Sequence, residues 1–188
     1  MRNEKVKRLV QLGLLTAISI VLVYLVRFPI FPSAAYLEYD MADVPILIGT
    51  FLFGPWWGLL LTFTVSLLQW LLVSPASGWV GFLMHFCATG SSALVAGYIY
   101  QRNRTIRGAI AGLLISAIVH VLMMIPLNLI FTVHFNGAPR EVVIAMPPTV
   151  IIPFNLIKVG LNGLFTFLLY NRVGKLLRFE KTEPCKQN

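Results

Sequence analysis

The chain has 188 residues, of which 57% are hydrophobic and 12% are charged, and its mean hydropathy is +0.80. Soluble domains have about 25% charged residues, so this chain has too little polar surface for a water-soluble particle. Its 12% aromatic content and long apolar runs also exclude a disordered chain. The net charge of +8 is concentrated at a few points, and the length suits one domain.

Six apolar runs predict an all-α integral membrane protein with six transmembrane helices. The runs cover residues 9–26, 44–53, 57–73, 81–100, 106–132 and 150–170. Since a spanning helix needs about 20 residues, a single membrane domain at 1–180 uses up almost the whole chain and leaves a polar tail at 181–188. The second run is too short to span a bilayer unless it extends through Asp43 or lies tilted. Asp43 followed by Pro45 suits a helix start in which the carboxylate caps free N–H groups.

The positions of Lys and Arg predict the orientation of these helices. Twelve of them lie in the segments 2–8, 102–107 and 172–186, whereas Arg27 and Arg140 are the two on the opposite side. Cytoplasmic segments of membrane proteins are enriched in Lys and Arg, so both termini are predicted to be cytoplasmic. An even number of helices agrees with this orientation. The first connection, 27–43, is then extracytoplasmic, long and acidic.

Lys158 is the residue of the predicted helices that most needs a partner. It lies about two turns into the sixth helix, where an unpaired ammonium costs a few kcal/mol, and an ionisable group inside a membrane segment is a candidate functional residue. Asn155, Lys158 and Asn162 are spaced i, i+3, i+7 and share one helix face. The alternative is structural: Lys158 snorkels to the interface, or pairs with a loop carboxylate.

Other polar groups are expected at a similar depth. Asn128 near the outer end of the fifth helix is predicted to converge with Asn155 and Lys158 on one outer-leaflet pocket, with His85 as a further candidate. For His85 and His120, a hydrogen bond to a neighbouring helix is the favoured interpretation. Residues of the acidic first loop are predicted to close the pocket: Leu37, Glu38, Tyr39 and Asp40.

The sequence offers little support for an enzyme. Gly174-Lys175 is followed by Leu176 and lacks the upstream glycine of a nucleotide-binding P-loop. The three histidines have no ligand spacing with Cys, Asp or Glu, so neither catalytic residues nor a metal site are predicted. The acidic residues lie in loops, in tails or at helix ends, which argues against a proton-coupled carrier with an acid inside a helix.

Small residues indicate where helices approach closely. Gly13 and Ala17 are spaced i, i+4 in the first helix, near its cytoplasmic end, and favour a surface for a partner protein. A second row in the fourth helix suits a partner surface or internal packing equally well. This row consists of Ala88, Ser92 and Ala96.

Several motifs of this chain resemble the riboflavin-specific substrate-binding S component of bacterial energy-coupling factor (ECF) vitamin transporters. These motifs are residues 37–45 (LEYDMADVP), Gly49, residues 53–55 (FGP) and residues 153–158 (PFNLIK). The likeness extends over nearly the whole chain apart from the polar tail, and the length, six helices and basic termini agree with it.

The resemblance implies a binding protein of the bacterial cell membrane that takes up riboflavin from outside and has no cofactor of its own. It implies a pocket of Leu37 to Asp40 with Asn128, Asn155 and Lys158, and partners consisting of a membrane coupling protein and two cytosolic ATPases that dock at Gly13 and Ala17. The assembled complex is thought to topple this subunit and carry the site inward. No nucleic-acid partner is expected. An S component for another vitamin, a stand-alone secondary transporter, a small membrane enzyme and a structural protein are the alternatives.

Overall fold

The computed structural model describes residues 2–31, 37–136 and 147–179, and it describes the side chains of residues 5–31, 37–131 and 148–170. Within these ranges the protein is built from α-helices and one small two-stranded ribbon. The helices are α1 Arg2–Leu25, α2 Asp43–Phe53, α3 Pro55–Leu68, α4 Gly78–Arg102, α5 Ile106–Asn136 and α6 Ile152–Phe179. Each coincides with one of the apolar runs. The predicted tail at 181–188 lies outside the described residues, so the proposed division at residue 180 stays a prediction.

Short irregular turns extend two of the helices. Gln69–Val73 continues α3 as a π-helical turn and Pro75–Ser77 follows as a 3-10 turn, while Pro147–Ile151 forms a π-helical turn before α6. Prolines at positions 75, 147 and 148 explain why regular helices do not run through these points.

The apolar side chains of the described residues point largely outward. Leu14 of α1 and Leu114 of α5 are 61% and 63% exposed. The buried face instead contains many small and polar residues, and Thr50 and Thr62 satisfy their hydroxyls by donating to the carbonyl four residues earlier in the same helix. An apolar surface around a partly polar interior is what a lipid environment favours.

Five stretches of the described residues are long and apolar enough to cross a membrane. They are Lys5–Leu25, Pro55–Val73, Pro75–Arg102, Ile106–Phe131 and Pro148–Tyr170. The apolar helix α2 has 11 residues, which is about 16 Å at the rise of an α-helix, and so it is too short to span a bilayer by itself.

Contacts between the helices fix the direction of α2. The C-terminal end of α1 lies next to the π-helical turn that follows α3. Tyr24 of α1 donates a hydrogen bond of 2.7 Å to the Leu72 carbonyl of that turn. Helix α2 begins at Asp43, beside His85 near the start of α4, and its Phe51 ring packs on Tyr100 at the end of α4, with centroids 4.8 Å apart. Helix α2 therefore runs in the same direction as α4 and returns the chain from one end of the bundle toward the other.

A β-ribbon that the sequence did not predict joins α1 to α2. Strand β1, Arg27–Pro29, pairs antiparallel with β2, Glu38–Asp40, in the register Arg27↔Asp40, Phe28↔Tyr39 and Pro29↔Glu38. The ribbon ends three residues before α2, so the residues at its end and at the start of α2 are held close together.

Helix α4 packs closely against the α2–α3 connection. A methyl group on Gly97 would lie 2.8 Å from the backbone Cα of Pro55 and from the Thr50 methyl group. The row of small residues in α4 also faces inward, since Ala88, Ser92 and Ala96 are all buried. Of the two interpretations of that row, internal packing is the one the structure supports.

We expect Gly97→Ala to destabilise the protein by about 1–3 kcal/mol, because the added methyl meets backbone that cannot yield without moving α3. Gly160→Ala is the matched control, since nothing lies within 4 Å of a methyl group built there, and alanine favours helix relative to glycine. Thermal unfolding of both variants in detergent measures the difference. Equal melting temperatures would show that α4 does not depend on close approach at Gly97.

Candidate functional site

The end of the β-ribbon, the start of α2 and the polar face of α6 meet inside the bundle. Asp40 ends strand β2 and Asp43 begins α2, and both carboxylates are buried, with 5% and 4% of the residue exposed. Lys158 and Asn162 lie opposite them on α6, 7% and 1% exposed. We call this group, together with Tyr39, the acidic-loop network.

A buried salt bridge connects the ribbon to α6. The Lys158 Nζ donates to Asp40 Oδ2 at 2.8 Å, and the two side chains are 9% and 7% exposed. Each charge would be costly to leave alone in so dry an environment. The pairing of Lys158 with a loop carboxylate was the structural alternative for this residue, and the structure confirms that contact.

Asn162 joins three parts of the acidic-loop network through one amide group. Its Nδ2 donates to the backbone carbonyl of Asp40 and to Asp43 Oδ2, both at 3.2 Å. Its Oδ1 accepts a hydrogen bond of 2.9 Å from the Tyr39 hydroxyl. Both amide hydrogens and the carbonyl oxygen are thereby used, so a single residue of α6 fixes the orientation of the ribbon end.

Tyr39 is held as a hydrogen-bond donor. Its side chain is buried, and the ring packs on Phe28 with centroids 5.3 Å apart. Burial, and then the adjacent negative charges of Asp40 and Asp43, raise the pKa of Tyr39 above its ordinary value. The hydroxyl therefore stays protonated and keeps donating to Asn162 across the physiological pH range.

Asp43 does not cap α2 as its position predicted. No side-chain hydrogen bond caps that helix, and the Asp43 carboxylate instead crosses the bundle to α4. Its Oδ1 lies 3.2 Å from His85 Nε2 and accepts a hydrogen bond of 3.0 Å from the Thr89 hydroxyl. The other ring nitrogen of His85, Nδ1, lies 2.7 Å from Ser66 Oγ of α3. The expected role of His85, a hydrogen bond to neighbouring helices, is confirmed.

The burial of Asp40 and Asp43 also removes the basis of one argument from the sequence. Both acids lie at a chain connection or a helix end, as noted, yet the structure brings them to the depth of Lys158. The positions of the acids in the sequence therefore do not argue against a proton-coupled carrier, because two carboxylates do lie inside the bundle.

The remaining predicted site residues lie around the acidic-loop network in different ways. Leu37 packs on Phe154 at the start of α6, whereas Glu38 pairs with Arg27 of the neighbouring strand and is partly exposed. Asn155 is completely buried, and its Nδ2 donates to the Ile151 carbonyl. Asn128 is buried on α5, where its amide donates to the Met124 carbonyl of the same helix rather than to the network.

Two groups of α6 retain unused hydrogen-bonding capacity. An ammonium group has three N–H donors, and one of those of Lys158 is used by Asp40. One turn away, the buried Oδ1 of Asn155 makes no hydrogen bond of good geometry to the described residues, although the His120 ring lies beside this amide. A buried acceptor without a partner is uncommon in proteins. Together these atoms offer a donor and an acceptor to a polar ligand.

Sequence reasoning missed two features of the site. Asn162 was recognised as part of the polar face but not as a site residue, and its spacing from Lys158 was the available signal. Asp43 was assigned to capping, because nothing in the sequence shows that its carboxylate faces α4. Among the described residues no group of three or more His, Cys, Asp or Glu side chains suits a metal ion.

The small residues of α1 lie on the exposed surface of the bundle, in contrast to the buried acidic-loop network. Gly13 and Ala17 are exposed, and no atom lies within 4 Å of a methyl group built on Gly13. Exposed apolar side chains surround them, among them Leu14 and Ile18. The structure therefore leaves this strip available to lipid or to another protein.

Comparison with known proteins gives consistent similarities. Residues 7–170 match the family model described as the substrate-specific component of ECF transporters. The chain is 34% identical to the riboflavin transporter RibU of Staphylococcus aureus over 92% of this chain and 93% of that protein. It is 28% identical to the riboflavin transporter FmnP of Bacillus subtilis over 82% of this chain and 85% of that protein. A solved S component of a bacterial ECF transporter superposes with a TM-score of 0.79 at 34% identity, covering 92% of this chain and 98% of that one.

The buried pair makes a specific prediction about stability. Lys158→Met leaves the Asp40 carboxylate buried without its partner, and we expect this to destabilise the protein by about 3–5 kcal/mol. Adding Asp40→Asn removes the stranded charge and should recover most of that loss. Thermal unfolding of the two single variants and the double variant in detergent measures the coupling. Losses that simply add in the double variant would show that the two side chains are not paired.

Proposed function

We propose, since the chain belongs to the family of substrate-specific components of ECF transporters, that it captures riboflavin at the outer side of the bacterial cell membrane for import. The observation that carries this proposal is the combination of a buried donor and acceptor on α6 with the ribbon that covers them. The riboflavin transporters with which the chain shares 28% and 34% of its residues support the choice of vitamin.

The unused groups of α6 fit the chemistry of a flavin ring. The isoalloxazine ring is flat and uncharged near neutrality, and it presents carbonyl oxygens beside an N–H group. Lys158 Nζ would donate to a ring carbonyl while it stays paired with Asp40, and Asn155 Oδ1 would accept from the neighbouring ring N–H. Leu37 and Phe154, which pack together beside them, would supply apolar contact of the kind that ligand pockets use.

Tyr39 and Asp40 would act on the ligand indirectly. Both hold the end of the ribbon against α6 through Asn162 and Lys158, and so they would keep the donor and acceptor in place when riboflavin arrives. Glu38 faces Arg27 and would stabilise the ribbon rather than contact the vitamin. Asn128 on α5 would complete the far wall of the pocket.

The membrane topology that we propose has six crossings and both termini in the cytoplasm. Helix α2 runs antiparallel to α1 and α3, and this direction supports the proposed topology. Because α2 returns the chain toward the side where α1 begins, it counts as a crossing although it is short, and the number of crossings is even. The exposed arginines of the α4–α5 connection, Arg102, Arg104 and Arg107, would lie on the cytoplasmic side, as the enrichment of Lys and Arg in cytoplasmic loops requires.

Transport would depend on other proteins. We propose that a membrane coupling protein and two cytosolic ATPases complete the transporter, and that the coupling protein docks on the open strip at Gly13 and Ala17. This chain would need neither a cofactor nor an ATPase activity of its own. The absence of side-chain volume at Gly13 suits close approach of a partner helix.

A proton-coupled carrier that works alone is the second candidate, and the buried Asp43 next to His85 is the observation that favours it. Intramembrane carboxylates often form proton relays. Uptake of radiolabelled riboflavin by vesicles that contain this chain alone separates the two functions. We expect no uptake until the coupling protein and ATPases with ATP are added, whereas a carrier would respond to a proton gradient.

The purified chain should bind one riboflavin per molecule without ATP. Isothermal titration calorimetry with riboflavin, biotin and thiamine measures this, and only riboflavin should bind tightly. Equal or absent binding of all three would contradict the assignment of the vitamin.

The Asp40→Asn/Lys158→Met variant gives a matched control for that titration. It should be folded, as argued above, but it lacks the ammonium donor. Loss of a charge-assisted hydrogen bond costs about 1.5–3 kcal/mol, so its affinity for riboflavin should fall roughly tenfold to a hundredfold. An unchanged affinity in the folded double variant would remove Lys158 from the ligand site.

A bulky side chain on α1 should separate binding from transport. Gly13 lies about 18 Å along the helix axis from the ribbon, so Gly13→Trp and Ala17→Trp should bind riboflavin as the wild type does. In cells that contain the coupling protein and ATPases, uptake and co-purification with the coupling protein should fall. Gly160→Trp is the control, because Gly160 is likewise exposed and open but lies on α6. Full uptake by both α1 variants would place the docking surface elsewhere.

A further inference from the structure

A small space lies between helices of the bundle and borders the acidic-loop network. Its volume is about 20 Å³, and residues of α2, α4, α5 and α6 line it. More than half of the lining side chains are polar. These are Asp43, Thr89, Ser92, Ser116, His120 and Asn162.

We propose that this cavity is a binding site for one resident water molecule, which forms part of the floor of the ligand site. A cavity needs about 10–15 Å³ to hold a water, and cavities that stay empty are apolar. The space between these helices exceeds that volume, and six of its eleven lining residues have polar side chains among apolar ones. Its size does not admit a vitamin.

Ser92 lines the cavity with a hydroxyl that is available to such a ligand. It is 6% exposed and lines the cavity, yet its hydroxyl makes no hydrogen bond to any residue that the structure describes. A buried hydroxyl without a partner is destabilising. His120, 3% exposed, lines the same cavity from α5 and lies beside Asn155, so it offers a second polar group to the same water.

The other polar side chains can accept hydrogen bonds from that water. The Thr89 hydroxyl donates to Asp43, and the Ser116 hydroxyl donates to the Leu113 carbonyl at 3.0 Å. Each of these oxygens therefore keeps lone pairs free to accept a hydrogen bond. A water molecule both donates and accepts, so it matches this mixed set of groups, and a buried water usually makes two to four hydrogen bonds.

The water would support Asn162 from the side opposite the ribbon. Asn162 holds Tyr39, Asp40 and Asp43 and also lines the cavity. Removal of the water would leave polar groups behind Asn162 unpaired, and the ribbon end would lose part of its alignment on α6.

A crystal structure of the full-length protein tests the proposal directly. We expect one spherical peak of electron density in the cavity, about 2.6–3.2 Å from Ser92 Oγ and from a ring nitrogen of His120. An empty cavity would overturn the proposal. Crystals soaked in thallium(I) should show no anomalous peak at this position, and such a peak would overturn the proposal in favour of a monovalent cation.

The Ser92→Val variant gives a second test, in which the direction of the change in melting temperature distinguishes a cavity that holds water from a dry one. If a water is resident, valine expels it and strands the remaining polar groups, and the melting temperature and the riboflavin affinity should both fall, the affinity about tenfold. If the cavity is dry, valine fills an empty space, and the melting temperature should rise with the affinity unchanged, which would overturn the proposal.

Two further variants complete the test. Ser92→Ala keeps the cavity open and should lower the melting temperature less than Ser92→Val does. Ser91→Val makes the same chemical change next along α4, where the hydroxyl donates to the Ala88 carbonyl outside the cavity, and it should leave the riboflavin affinity unchanged. The affinity measurements rest on the proposed function, whereas the density and the melting temperatures do not, so failure of either idea can be recognised separately.

Discussion

Two carboxylates and one ammonium group inside a bundle of apolar helices form the constraint on which the site depends. None of these charges is stable there alone, so Asp40 must meet Lys158, and Asp43 must find donors on α4 and α6. Because Asp40 and Asp43 stand on either side of the point where the ribbon becomes α2, satisfying both fixes that connection in three dimensions. The connection between α1 and α2 is thus attached to the bundle by charged and polar contacts as well as by apolar packing.

Under the proposed function, this arrangement would allow one set of residues to serve stability and binding together. Lys158 uses one N–H on Asp40 and keeps others, and Asn155 beside it keeps a buried acceptor. Atoms left unsatisfied in a dry interior favour any ligand that can satisfy them. A binding subunit that works without nucleotide needs its affinity to come from such groups, since no other source of free energy acts while it stands alone.

The sequence predicted the helices well because lipid imposes a simple rule on them: long apolar runs must be helical, and prolines and charged turns end them. It also identified the polar face of α6, because Asn155, Lys158 and Asn162 recur at helical spacing on a background of apolar residues. The β-ribbon was not predictable in the same way. Its strands are three residues long and carry Pro29 and Asp40, residues that are uncommon in strands.

The failures of sequence reasoning at the site have a common cause. Asp43 was expected to satisfy local N–H groups at its own helix end, but tertiary contacts with His85, Thr89 and Asn162 offered more. Glu38 and Asp40, separated by one residue, share a face of strand β2, yet their partners differ, because Glu38 pairs with Arg27 of the neighbouring strand and Asp40 pairs with Lys158 of α6. The sequence shows neither of these partners, so the different roles of the two acids became visible only in the folded structure.

A crystal structure of the riboflavin complex would show whether Lys158 holds the ribbon and binds the ligand at the same time. We expect a ring carbonyl of riboflavin about 2.7–3.2 Å from Lys158 Nζ, with Asp40 still hydrogen-bonded to the same nitrogen and the second ring contact at Asn155 Oδ1. A flavin that lies away from α6, or one that binds only after Lys158 has left Asp40, would contradict this expectation.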